Sequence, residues 1–184
     1  MNDTGALDLL EELRAYEAFD PRESAMRDRF VAFLSVHADA FERACVPGHV
    51  TASAWIVDPA YARTLLTHHR KLGKWLQLGG HVDGERDVRR AALREAHEES
   101  GLRSLRFVGQ AIYDLDVHAI PARGAEPAHE HFDVRFALTG DPDEPLIVSD
   151  ESHELAWIPL DALREYGADE SVLRLARKTR LLVG

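Results

Sequence analysis

Four charged side chains in the run Arg94-Glu95-Ala96-His97-Glu98-Glu99, preceded by the adjacent glycines Gly79-Gly80, have the types and spacing to hold a cation. Residues 87–100 are rich in alanine, leucine, arginine and glutamate, all strong helix formers, and Gly101 can end the helix in a left-handed cap. On such a helix Val88, Ala91 and Ala92 share one stripe, and its continuation brings up Glu95, Glu98 and Glu99. The stripe begins apolar and ends acidic. Carboxylates at i, i+3 and i+4 lie about 5–6 Å apart, so without a counter-charge they repel and their pKa values rise. A divalent cation removes that penalty, and oxygen donors select Mg²⁺, Mn²⁺ or Ca²⁺ over Zn²⁺. Gly79 and Gly80, read as part of the loop entering the helix, leave no Cβ there and let the backbone approach a metal or phosphate.

These residues carry a resemblance. Gly80, Arg94, Glu95, Ala96, Glu98, Glu99, Gly101 and Leu102 fit without a gap the signature box of the Nudix hydrolases: Gly, five residues, Glu, seven residues, Arg-Glu, an apolar residue, any residue, Glu-Glu, any residue, Gly and an apolar residue. The first Glu of the pattern is Arg86 here, with Asp83, Glu85 and Asp87 beside it. Gly84 gives the loop freedom to shift, so Glu85 is expected to take over that position. The resemblance covers roughly residues 48–165 and implies an α+β chain, an α/β/α sandwich around a mixed sheet. It further implies divalent-metal-dependent cleavage of a nucleoside diphosphate linked to another moiety, with Mg²⁺ or Mn²⁺ as cofactor. By the same resemblance Glu98 and Glu99 hold the metal, Glu95 shares it or accepts the proton of water, Arg94 orients Glu95, and the Gly79 carbonyl is a ligand. The order Glu-x-x-Glu before Trp157-Ile158-Pro159-Leu160 also resembles the family, where an acid from this loop completes the metal site; Glu151 is the first choice and Glu154 the second. Gly80, Glu85, Glu130 and His131 are expected to line the substrate.

The surrounding elements must position this box. Residues 6–18 place Ala6, Leu7, Leu10 and Leu13 at helical spacing, and Asp20-Pro21-Arg22-Glu23 reads as N-cap, first-turn proline and capping-box acid of a second helix running to about His37. Met26, Phe30, Phe33 and Leu34 give it an apolar stripe. Residues 1–45 form a helical extension outside the resemblance, read foremost as packing against the domain of residues 46–184, with a lid or a homodimer contact as the functional alternatives. Strand-like runs follow at 51–57, 61–68 and 75–78, then one long strand over 105–119. Residues 130–138 alternate Phe132, Val134, Phe136 and Leu138 against Glu130, His131, Asp133 and Arg135, which predicts a half-buried strand. His129 and His131, two apart on that strand, share a face and could bind Zn²⁺, but sequence supplies no third soft ligand, so they are assigned to the substrate pocket or solvent. A final amphipathic helix spans about 169–182. The basic run His68-His69-Arg70-Lys71 with Lys74 reads as a solvated turn.

Composition bounds the rest. The 184 residues, 45% hydrophobic, suffice for one packed domain plus an extension. A net charge of −10 argues against a nucleic-acid polymer as partner and leaves small anionic diphosphates reachable through a metal. The single cysteine, Cys45, excludes an internal disulfide and reads as a buried filler. No apolar run approaches a membrane span and the start lacks a signal-peptide order, so the chain is read as cytoplasmic with no membrane partner. The competing reading, from another class, is a Nudix-like nucleotide-sensing module without turnover, encouraged by Arg86; the intact Arg94-Glu95 and Glu98-Glu99 set speaks against it. A third, an isomerase resembling isopentenyl diphosphate isomerase, draws on Glu130-His131 but lacks a cysteine near the glycines.

Overall fold

A computed structural model describes residues 4–124, 127–150 and 152–182, with the side chains of residues 4–8 left aside. In chain order the elements are α1 (Thr4–Ala15), α2 (Pro21–Val36), β1 (Gly48–Val57), β2 (Arg63–His69), β3 (Lys74–Leu76), β4 (Leu78–His81), α3 (Val88–Ser100), β5 (Arg106–Phe107), β6 (Asp114–Ile120), β7 (His129–Thr139), β8 (Ser152–Pro159) and α4 (Glu170–Thr179). The eight strands make one mixed sheet. Its axis is the parallel pair β1 and β7, in register from Gly48 opposite Glu130 to Val57 opposite Thr139. On its other edge β1 pairs antiparallel with β4 through Thr51–Ala54 and with β2 through Ile56 and Val57, so the sheet divides there. β8 continues from β2, and β6 from β7, both antiparallel. Among the described residues no helix is long and apolar enough to cross a membrane.

Alternation in β1 and β7 assigns the two faces. Val50, Ala52, Ala54 and Ile56, with Phe132, Val134, Phe136 and Leu138, pack in one core with Ala91, Ala92 and Ala96 of α3 and with Leu13, Phe30 and Phe33 of the N-terminal helices. Phe33 stacks on Phe132 at 4.0 Å between ring centroids, and Phe30 meets the same ring edge-on at 5.2 Å. Trp55 and Val57 face the other way, onto Val172, Leu175 and Ala176 of α4, where the Trp55 indole donates to Thr179 Oγ1 at 2.8 Å. Helices on both faces of a mixed sheet give the α/β/α sandwich that the box implies.

Several local expectations change. The glycine pair is part of strand β4 and not of a loop, because Gly79 and Gly80 take ladder positions opposite Ser53 and Ala52. The run 105–119 is two strands: Gly109 at φ 78° turns the chain between β5 and β6. The final helix stops at Thr179, short of Leu182. Asp20 caps α2 by accepting from the Glu23 amide at 2.8 Å, but Glu23 reaches back to the Phe19 amide and not to Asp20. The expected roles of Ala6 and Leu7 fall on side chains outside those described.

The largest departure concerns β7, which is covered on both faces. Asp133 and Arg135 are buried along with the apolar residues they alternate with. Arg135 donates to Asp133 at 2.7 Å and lies 3.2 Å from Asp116; Arg174 of α4 grips Asp114 with two bonds of 2.8 Å. Lys178 joins Asp114 at 3.3 Å to Glu23 of α2 at 2.7 Å. Such charges fold inward only when every one is paired. The network docks α4 and the start of α2 onto the same point of β6.

Candidate active site

The box helix is fixed at both ends. The Asp87 side chain accepts from the Arg90 amide at 3.0 Å, and Gly101, at φ 72°, returns its amide to the His97 carbonyl at 2.9 Å. Val88, Ala91, Ala92 and Ala96 bury the apolar part of the stripe. Beyond it Glu95 and Glu99 are partly buried and Glu98 is exposed.

Strand β4 meets this acidic end closely. The Gly79 amide donates to Glu99 Oε2 at 2.9 Å. A Cβ on Gly80 would stand 2.6 Å from Glu95 Oε2, so only glycine lets that carboxylate lie flat on the strand. Arg94 Nη1 donates to Glu95 Oε1 at 2.5 Å and stands 3.5 Å from Glu98 Oε2, while its Nη2 donates to the His81 carbonyl at 3.3 Å. One guanidinium thus bridges two of the three acids and the strand. Burial raises the Glu95 pKa; Arg94 opposes this, and the charges of Glu98 and Asp83 add to it. Glu95 is therefore a stronger base than an ordinary glutamate. The side chains at this end of the helix are carboxylates with backbone close by, hard donors of the type that Mg²⁺ or Mn²⁺ takes.

The remaining predicted residues are placed as follows. Glu85 accepts from the Asp87 amide at 3.2 Å and stands 3.6 Å from Arg90, at the mouth of α3. Arg86 turns toward the segment after α2, its guanidinium 5.2 Å from the centre of the Phe41 ring and donating to the Ala38 carbonyl at 3.4 Å. Glu130 pairs with Arg29 of α2 at 2.5 Å. Glu151 lies outside the described residues. Glu154 is exposed on β8, opposite His68 of β2. A recess of about 520 Å³ bordered by Tyr61, Arg63, Pro159, Leu160 and Arg180 includes none of the box residues.

His131 enters a group that sequence reasoning did not assemble. His49 of β1 is its direct partner in the parallel ladder, His118 of β6 its partner on the other side, and His129 precedes it by two on β7. The rings of His49 and His81 approach to 5.0 Å, and those of His81 and His131 to 5.1 Å. Burial, followed by the neighbouring imidazoles, pushes His131 down to about 2. Burial also lowers His49 to about 4, helped by His81, His129 and Arg43 and opposed by the Cys45 backbone. The signal lay in the shared parity of His49 and His131 on their strands, but using it requires knowing that β1 and β7 pair.

Comparison with known proteins agrees with this geometry. No curated protein matches the chain at a significant level. Among solved structures, an Ap4A hydrolase from C. elegans in a binary complex is similar at a TM-score of 0.59 and 19% identity, over 73% of this chain and 96% of that one. A NUDIX-family hydrolase from Clostridium perfringens gives 0.54 and 24%, over 73% and 97%. The NUDIX domain of Shewanella oneidensis NrtR, complexed with ADP ribose, gives 0.53 and 16%, over 73% and 88%. At these identities the likeness speaks for the fold. The family model of the NUDIX domain matches residues 47–177, which span the sheet, the box helix and nearly all of α4, and the chain belongs to the Nudix hydrolase family.

Proposed function

We propose that this pyrophosphohydrolase cleaves a diphosphate linkage in a nucleoside diphosphate derivative or similar small molecule, and that it does so with Mg²⁺ or Mn²⁺. The observation that supports this most is the Arg94 bridge. It holds Glu95 by one oxygen, against a glycine that leaves the second oxygen room, beside Glu98 and Glu99.

Glu98 and Glu99 would hold the metal, with Glu95 and the Gly79 carbonyl as further donors and Glu151 as an additional acid. When bound, the cation neutralises the non-bridging phosphate oxygens and lowers the pKa of water. The chain's own residues do the rest. Arg94 fixes the Glu95 rotamer through Oε1 by a charge-assisted hydrogen bond. Glu95 Oε2, its basicity raised by burial, accepts the proton of the attacking water as the new P–O bond forms and the bond to the bridging oxygen breaks. The Gly79 amide keeps Glu99 from swinging away. Gly80, Glu85 and the Glu130–His131 end of β7 border the substrate.

The second reading, nucleotide sensing without turnover, is favoured by one observation: Arg86, in the place of the first box acid, is committed to Phe41 and Ala38. A screen of diphosphate compounds that includes a nucleoside diphosphate sugar, with Mg²⁺ or Mn²⁺ and scored by product mass, tests both. Hydrolysis that is lost in Glu98→Gln is expected. Binding without cleavage of any compound would move the assignment to the sensing module, and wild-type rate in Glu98→Gln at saturating Mg²⁺ would refute the metal assignment.

A further inference from the structure

We propose that His49, His129 and His131 form a second metal site, selective for Zn²⁺ or another borderline divalent cation, on β1 and β7 and separate from the glutamates of α3. This stands apart from the hydrolase reading and does not depend on it.

A ligand nitrogen from each of the three rings lies within 4.8 Å of the other two. His129 Nε2 and His131 Nε2 are 3.4 Å apart. Tetrahedral Zn²⁺ with bonds of about 2.0–2.1 Å sets its nitrogens about 3.3–3.4 Å apart, so this pair already has the spacing of two ligands. The tautomer is set as well. His129 Nδ1 is 2.9 Å from the Pro127 carbonyl, which can only accept, so Nδ1 carries the proton and Nε2 presents its lone pair. His49 supplies an independent sign. It is 2% exposed, its ring is 4.9 Å from each of the other two, and neither of its nitrogens makes a hydrogen bond of ordinary geometry. A buried imidazole with no well-aligned hydrogen-bond partner is rare in folded chains unless something outside the chain satisfies it.

Three imidazoles with no carboxylate among them select a borderline cation and leave Mg²⁺ to oxygen donors. Three protein ligands also leave a fourth position for water, the arrangement of a reactive rather than a sealed site. Strand β4 separates the two centres: Gly80 backs onto Glu95, and the next residue, His81, packs its ring on His49 and His131. His37, Asp39 and Cys45 also come together. There the thiol is pushed up to about 11 by burial and by Asp39, so a cation must displace its proton to bind, which makes this the weaker group near neutral pH.

The test uses the full chain stripped by chelator and titrated with Zn²⁺ alone, in excess Mg²⁺ to occupy the glutamates. One Zn²⁺ per chain is expected, retained in Glu98→Gln and Cys45→Ser and weakened at least about 100-fold in His129→Gln and in His131→Gln. In the wild type, Zn²⁺ should shift the imidazole NMR signals of His49, His129 and His131, a readout that needs no variant to fold. Signals that do not move, loss of binding in Cys45→Ser, or unchanged affinity in folded His129→Gln and His131→Gln would each overturn the site.

Discussion

Arg94 Nη1 lies 2.5 Å from Glu95 Oε1 and 3.5 Å from Glu98 Oε2, so neighbouring residues of one helix turn share a charge that the helix alone would leave opposed. If Arg94 positions the base, Arg94→Ala should lower kcat about 10²-fold or more with little change in KM, and Glu95→Gln about 10²–10⁴-fold, the range of a lost general base. Arg94→Lys should restore only part, because a point charge cannot bridge two carboxylates and a carbonyl at once. Steady-state kinetics on the substrate found by the screen decide this; equal effects on KM alone would remove Arg94 from the chemistry.

The two glycines should fail differently. At Gly80 an added Cβ meets only the end of the Glu95 side chain and no backbone, so Gly80→Ala should fold with a near-normal melting temperature and lose turnover through a displaced carboxylate. At Gly79 it meets the Ala52 carbonyl oxygen at 2.6 Å and Ser53 Cα at 2.6 Å, backbone that cannot step aside. Gly79→Ala should therefore cost about 1–3 kcal/mol of stability. Thermal melts beside kinetics separate the two.

At the position of the first box acid, Arg86→Glu removes a cation over Phe41, so a loss of about 0.5–1 kcal/mol is expected, with little gain in kcat/KM. Glu85→Gln should slow turnover if Glu85 serves in that place. A normal rate for Glu85→Gln, or a large gain in Arg86→Glu, would show that the takeover is wrong.

Acid should reach the box before it loosens α4, since the Glu95 pKa is raised while those of Asp114 and Asp116 are depressed. Burial alone would raise Asp114 and Asp116. For Asp114 the Arg174 hydrogen bond and the charges of Arg135 and Lys178 outweigh it, and for Asp116 Arg135 and His118 do, so both titrate below the ordinary value of about 3.9. With folded pKa values depressed, their stabilisation is present above the unfolded value and is lost as pH falls through the folded ones. Asp116→Asn should cost about 3–5 kcal/mol at neutral pH, as the loss of one partner in a buried pair does, and should flatten the acid limb. Denaturant unfolding over that pH range measures both.

The box was legible because its geometry is local: Glu95, Glu98 and Glu99 share one face of a helix whose period is known, and the glycine spacing needs no tertiary knowledge. The helical capping at Asp20 and Gly101 could be read for the same reason, whereas Asp87, counted into the helix from sequence, proves to be its cap. Alternation along β7 named the right two faces but mistook one for solvent, since Asp133 and Arg135 are hidden by partners on β6 and α4 that lie far away in the chain. The histidine group escaped likewise, for His49 and His131 are joined only by a parallel register that no turn announces. Where Gly109 breaks the 105–119 run, apolar residues continue on both sides and conceal the corner.

Glu23 and Lys178 bear on where the molecule can be divided. The family match runs from 47 to 177, so one member of this buried ion pair stands before it and the other immediately after it. Trimming to those limits would remove both and leave Asp114 with one cation fewer on a sheet face from which water is excluded. The segment recognisable by descent is thus smaller than the segment this ion pair ties together. A recombinant fragment, a chimera or a split reporter cut at the recognisable edges would sever a closure formed between the two termini.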